Sequence, residues 1–254
     1  MSKQSYITKG YVDIHAHLLP VQDGPESQEE ALSALRLASD TGIEHMVLTP
    51  HYFSNDRSYK KAVVERAYER LRQEVERAQI PIKIYLGNEL NIERNVIESL
   101  RNQKALTLAN TKYILAEYPF YQVPCNYTSI IYELMSQGYL PIIAHPERNA
   151  YIQLGYESIL ELKSMGCLIQ VNAASLLGDY GGLAKKYAQR ILQEGLADFI
   201  ASDAHSYVQR PPDVISHCLK KLHKLSDGYV ESLLRIRAQE TILSENNRLS
   251  QEID

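Results

Sequence analysis

The chain has 254 residues, 44% of them hydrophobic and 23% charged, the balance of a folded globular protein and not of a disordered one. Its 27 Lys and Arg against 31 Asp and Glu leave a net charge of −4, which argues against a nucleic-acid binder, because such affinity rests on clustered cations. No apolar run approaches the roughly 20 residues of a membrane span, MSKQSYITKG lacks the apolar stretch of a secretory signal, and the scattered Cys125, Cys167 and Cys218 suit a reducing compartment, so a cytoplasmic protein is expected.

In chain order, the first strand is expected at Tyr11–His15. Ser27 followed by Glu30 is a capping-box pattern ahead of a helix over Ala31–Leu37, and Gly42 stands where that helix would stop. Strands at His45–Thr49 and Ile82–Leu86 flank a long charged helix, Tyr59–Ala78, apolar at Val63, Val64, Ala67, Leu71 and Val75. Further strands at Lys112–Ala116, Leu140–Ala144, Cys167–Val171 and Asp198–Ala201 alternate with helices over Tyr127–Gln137, Tyr156–Met165 and Leu183–Glu194, each followed by a glycine. Pro211-Pro212 opens a helical tail through Cys218, Leu222, Leu233 and Leu234, expected to pack against the strands, and the hydrophilic end, Ser244–Asp254, is expected to fray. Strand starts about 30 residues apart, with no Pro/Gly/Ser-rich seam, predict one α/β domain over 1–254: a closed or nearly closed (β/α) barrel of seven strands, one short of the usual eight. The 18 Tyr against 3 Phe are read as surface-facing helix and loop residues such as Tyr59, Tyr68, Tyr127 and Tyr132.

The ionisable residues fall at strand ends. His15 and His17 close the first strand, His51 the second, Glu89 the third, Glu117 the fourth and His145 the fifth; Asp203 and His205 close the seventh, while the sixth offers only the neutral Asn172. In a parallel barrel those ends converge on one face, so six strands deliver five imidazoles and three carboxylates to one pocket. Burying them without compensating Lys is costly unless divalent cations are bound. His-x-His and Asp-x-His place two donors on the same side of a strand end. Donors of imidazole and carboxylate without thiolate favour Mn, Fe or Zn, and Glu89 could bridge two ions. His45 begins a strand, and His217 and His223 lie on the C-terminal helix, so these three are assigned to surface or packing.

Absences narrow the chemistry. No cysteine is followed by Arg six positions on, and there is neither a Gly-x-Ser-x-Gly elbow nor a Gly-x4-Gly-Lys loop, which leaves metal-activated water. A metal-dependent amidohydrolase would share His-x-His and a last-strand Asp, but a bridging Lys at a strand end is missing. A non-enzymatic interaction module would be expected to lack some of the ligands.

With those residues placed, the chain resembles the bacterial PHP-type (polymerase and histidinol phosphatase) protein-tyrosine phosphatases of capsule and exopolysaccharide clusters. The matching stretches are Asp13-Ile14-His15-Ala16-His17, Asp23-Gly24-Pro25, Thr49-Pro50-His51, Gly87-Asn88-Glu89, Ala116-Glu117-Tyr118-Pro119, Ile143-Ala144-His145-Pro146-Glu147-Arg148-Asn149 and Ala201-Ser202-Asp203-Ala204-His205. The resemblance implies a distorted seven-stranded TIM-like (β/α) barrel, the PHP fold, with three divalent ions, usually Mn, with Fe, Zn or Mg as alternatives. It implies that His15, His17, Glu89 and Asp203 hold one ion, Glu89, Glu117 and His145 a second, and Asp23, His51 and His205 a third. Asp23 rests on the resemblance alone, and many relatives carry Asp-Asp-Gly where this chain has Gln22-Asp23-Gly24. Arg148 and Arg210 match the family's phosphate-binding arginines, a role their guanidinium forks suit; the competing reading of Arg210 is a solvated loop charge. The implied partner is a tyrosine-phosphorylated bacterial autokinase. The alternative activity is a small-molecule phosphomonoesterase of the histidinol-phosphatase type.

Overall fold

The computed structural model describes residues 10–244 except 57, 94, 120–125 and 223–227. Cys125, His223, the first nine residues and the expected fraying of 245–254 lie outside the described residues. Nine strands form within the described residues: β1 Tyr11–Ala16, β2 Ile43–Leu48, β3 His51–Tyr52, β4 Lys83–Leu86, β5 Glu89–Asn91, β6 Tyr113–Glu117, β7 Leu140–Ala144, β8 Leu168–Asn172 and β9 Phe199–Ala201. Among the described residues they make two open parallel sheets, β1-β2-β4 and β3-β5-β6-β7-β8-β9, where the sequence predicts one closed or nearly closed barrel of seven strands.

The difference has a local cause. Beyond the second and third expected strands the chain breaks, at Thr49-Pro50 and at Gly87-Asn88, and resumes as the short β3 and β5. Pro50 has no N–H to donate to a ladder. A Cβ on Gly87 would sit 2.9 Å from Leu108 Cδ2 and 3.2 Å from the backbone at Leu108 Cα and Thr107 O, so a larger residue would crowd the chain there. Asn88 staples the two breaks together: its Nδ2 donates to Pro50 O (2.9 Å), and its Oδ1 accepts from Leu106 N (2.9 Å) and from the Tyr59 hydroxyl (3.1 Å). At the other flank, His17 N donates to Ala204 O (2.6 Å) and Asp203 N to His15 O (3.0 Å), around an isolated parallel bridge between Ala16 and Ala204.

Helices cover the outside: α1 Gln28–Asp40, α2 Lys61–Arg77, α3 Val96–Arg101, α4 Tyr127–Ser136, α5 Ala150–Leu154, α6 Glu157–Ser164, α7 Ala173–Leu177, α8 Gly181–Gln193, α9 Val214–Leu222 and α10 Tyr229–Ser232, followed by wider helical turns over Leu233–Arg237 and Gln239–Leu243. Ser27 caps α1, its Oγ accepting from Glu30 N (3.1 Å), while Glu30 reaches back to Glu26 N (3.1 Å) and not to the cap residue itself. Tyr59 and Tyr68 correct the expectation of outward-facing tyrosines. Both are partly buried, and the Tyr68 hydroxyl donates to Ile84 O (3.0 Å); Tyr127 is also partly buried, and only Tyr132 of the four is largely exposed.

One apolar cluster lies between the sheets and the helices. A second, built from Val12, Ile14, Val47, Leu115, Ile142, Phe199, Ala201 and others, fills the interior. Period-two alternation then sets chemistry above packing: Leu115 lies beneath Glu117, and Phe199 and Ala201 beneath Asp203. Ala238, Ile242 and Leu243 belong to the same inner cluster, so the C-terminal turns stop the floor of the interior. They are held by Arg237 Nη2 to Asp198 Oδ1 (2.6 Å) and by Gln239 Nε2 to Gly10 O (3.1 Å).

Candidate metal centre

At the end of β1 four residues, Asp13 to Ala16, span the three partners Met46 to Leu48 on β2, so β1 carries one extra residue. Such a bulge re-aims the side chains beyond it. Val12 and Ile14 face the inner cluster, and beyond the bulge His15 and His17 turn to the same interior. On the neighbouring strands His51 pairs with Glu89 in register. His145 and Asp203 both take positive φ, +30° and +54°, a strain that concentrates where a side chain must be held off its regular path.

These bends gather all nine sequence-predicted ligand positions. His15 Nε2 and His17 Nε2 lie 3.0 Å apart and converge on Glu89 Oε2 at 3.2 and 3.1 Å. His51 Nδ1 reaches the same oxygen at 3.1 Å, while Glu89 Oε1 lies 2.9 Å from His145 Nε2. Glu117 faces His51 and His145, each at 3.8 Å. Asp23, on the loop after β1, puts Oδ2 3.3 Å from His17 and His51 and 3.2 Å from His205. Among the described residues three groups could each hold a cation: His17, Asp23, His51 and His205; His15, His17 and Glu89; and His51, Glu89 and Glu117. His17, His51 and Glu89 belong to two groups apiece. His45 and His217 lie elsewhere: His45 Nδ1 is 3.0 Å from the Tyr85 hydroxyl, and His217 is exposed beside Asp213.

Asp203 divides its two oxygens. Oδ2 takes Arg148 Nη1 (2.8 Å), Arg210 Nη2 (2.5 Å) and Asn172 Nδ2 (2.7 Å), leaving Oδ1 towards His15, His17 and His205 at 3.6–3.7 Å. The Tyr180 ring lies under both guanidinium groups, 4.1 Å from Arg148 and 5.7 Å from Arg210. Arg210 Nη1 is also 2.9 Å from His205 Nε2, so this arginine is part of the site and not a solvated loop charge.

Burial and charge pull against one another throughout. Burial opposes ionisation of Glu89, but His15 and His51 outweigh it and hold the carboxyl well below its usual range. Burial pushes Glu117 up to about 9, with the Glu89 and Asp203 carboxylates adding to the effect. Burial would lower His17, yet hydrogen bonds to Asp23 and Glu89 raise it to about 10. His51 falls to about 4 because desolvation prevails. Imidazole nitrogens crowded within hydrogen-bond distance around one buried carboxylate, with oxygen and nitrogen donors and no thiolate, fit divalent cations.

Gln170 escaped the sequence reading, which saw its neighbour Asn172 only as a neutral strand end. Gln170 Oε1 lies 3.0 Å from His15 Nδ1, and Gln170 Nε2 donates to Asn172 Oδ1 (2.7 Å). The signal was available: in Leu168-Ile169-Gln170-Val171-Asn172 the polar residues alternate onto one face of an otherwise apolar strand.

Several known proteins are similar to this chain. The family model described as capsular polysaccharide synthesis, CpsB/CapC, matches residues 11–243. CapC of Staphylococcus aureus is 35% identical over 246 residues, 95% of this chain and 94% of that protein. Tyrosine-protein phosphatase YwqE of Bacillus subtilis is 34% identical over 200 residues, 78% of this chain and 79% of that one. The crystal structures of YwqE and of CpsB from Streptococcus pneumoniae, described as metal-dependent tyrosine phosphatases, give a match with TM-score 0.77 and 33% identity over 88% of this chain and 94% of the other. A β-aspartyl dipeptidase of Fervidobacterium islandicum, at TM-score 0.60 and 11% identity, shares the fold alone.

Proposed function

Since the chain belongs to the CpsB/CapC family of capsular polysaccharide synthesis, we propose that it is a metal-dependent protein-tyrosine phosphatase, a phosphoric monoester hydrolase acting on a tyrosine-phosphorylated autokinase that regulates capsule or exopolysaccharide synthesis at the cytoplasmic face of the membrane. The observation that carries this reading is Asp203, whose one carboxylate joins the cation cradle through Oδ1 to the Arg148–Arg210 pair through Oδ2.

His15, His17, Glu89 and Asp203 would hold one ion, Glu89, Glu117 and His145 a second, and Asp23, His51 and His205 a third, with manganese the expected metal. Such ions, when bound, lower the pKa of water towards about 7 and offset charge on a phosphoryl group. Arg148 and Arg210 grip the phosphoryl oxygens as a fork and hold the group in line for attack. The Tyr180 ring beneath them limits where the two guanidinium groups can swing. A tyrosine phenolate, with a conjugate-acid pKa near 10, departs with less help from a proton donor than an alkoxide needs. The same reading takes the two sheets as parts of one distorted seven-position (β/α) barrel, supported by the hydrogen bonds from His17 to Ala204 and from Asp203 to His15 across the flank.

The test is hydrolysis of a tyrosine-phosphorylated kinase tail, compared with histidinol phosphate, before and after chelation. A chelator is expected to abolish turnover and Mn2+ to restore it. Activity that persists in chelator overturns the metal reading, and preference for histidinol phosphate overturns the protein substrate.

A further inference from the structure

β8, like β2 and β4, contributes no charged or imidazole group to the centre, yet its two inward polar side chains run between two of the proposed ligands. The amide orientations of Gln170 and Asn172 follow from the fixed end of the chain. Asp203 as a carboxylate can only accept, so Asn172 must turn its Nδ2 to Oδ2, the contact seen at 2.7 Å. Asn172 Oδ1 is then left to accept, and Gln170 Nε2 supplies the proton at 2.7 Å. Gln170 must therefore present its oxygen to His15 Nδ1, 3.0 Å away, and that nitrogen must carry the hydrogen. Flipping either amide would set two acceptors or two donors face to face in a buried site, a cost of about 1–3 kcal/mol for each unsatisfied group. His15, Gln170, Asn172 and Asp203 are all almost fully buried, so water is a poor substitute for any link. Asn172 is itself anchored through its backbone N–H to Glu147 Oε1 at 3.0 Å, on the turn that carries His145 and Arg148.

Resting on the metal reading above, we propose that Gln170 and Asn172 are positioning residues: a one-way hydrogen-bond relay that holds His15 in the Nδ1–H tautomer, leaves its Nε2 lone pair for the cation, and ties that choice to the aim of Asp203. Neither residue touches substrate or metal. They act by fixing the tautomer of one ligand and the orientation of another, work that outer partners of metal-bound histidines commonly do at 10–100-fold in affinity.

Zinc, being diamagnetic, is the probe. In 15N-labelled, zinc-loaded protein, long-range proton–nitrogen NMR is expected to show His15 protonated at Nδ1 and coordinated through Nε2. Gln170→Leu is expected to weaken zinc binding by about 10–100-fold, measured by competition with a chelating dye. Gln170→Glu, which restores an acceptor to His15 but sets a carboxylate oxygen against Asn172 Oδ1, is expected to recover part of that loss and not all of it. A His15 coordinated through Nδ1 overturns the relay, and it does so without any variant having to fold. Zinc affinity of Gln170→Leu within twofold of the parent, or Gln170→Glu as weak as Gln170→Leu, also overturns it. Failure of the unaltered protein to bind zinc at all would instead remove the metal centre on which the relay depends.

Discussion

Glu89 is the residue on which the imidazoles converge: its Oε2 meets three of them and its Oε1 a fourth. Glu89→Gln keeps the shape but removes the charge that offsets a cation. It is expected to lower phosphatase activity more than about 100-fold, beyond the loss usual for an outer partner. Unchanged turnover with the normal metal content would count against the assignment. The two described cysteines provide a contrast. Burial pushes the Cys167 and Cys218 thiols up to about 12, because desolvation disfavours the thiolate. At pH 8 both should stay protonated and resist iodoacetamide in the folded protein, then react after denaturation. Mass spectrometry of the alkylated chain decides it. Strand-end placement made eight of the nine proposed ligands legible in the sequence. Asp23 was visible only by resemblance, because it stands on a loop where no periodicity announces a direction.

At the level of elements, the sequence marks where strands stop better than where they resume. The expected ends at Thr49 and Leu86 fall beside the breaks, but β3 and β5 are two and three residues long, too short for any hydrophobic period to register. The two sheets stay open among the described residues, where a closed or nearly closed barrel was expected. The loop bearing Asp23 is equally local in its logic. A Cβ on Gly24 would sit 2.0 Å from Leu19 O and 2.9 Å from His17 O, so Gly24→Ala must push the backbone aside and carry Asp23 with it. Metal analysis of Gly24→Ala is expected to show one ion fewer than the parent, with the strands intact by circular dichroism; a full complement would show that Asp23 is dispensable. Ser27→Ala removes the side-chain acceptor for Glu30 N and is expected to cost about 1 kcal/mol in denaturant unfolding, with activity retained.

For the whole molecule, the cluster of buried like-charged and imidazole groups is a liability that cations relieve, so stability and metal content are linked. Saturation at about a hundred times the dissociation constant adds about 2.7 kcal/mol to unfolding, and the melting temperature should rise with added Mn2+ and fall in chelator. A melting curve indifferent to both would contradict a cation-filled centre. Phe199, fully buried in the inner cluster two strand positions beneath Ala201, supports the floor of that centre. Phe199→Ala is expected to cost about 3–5 kcal/mol. The C-terminal turns have a further consequence. Because Ala238, Ile242 and Leu243 belong to the inner cluster, the last described turns are built into the packing beneath the ligands, and loosening them would disturb the metal site from below.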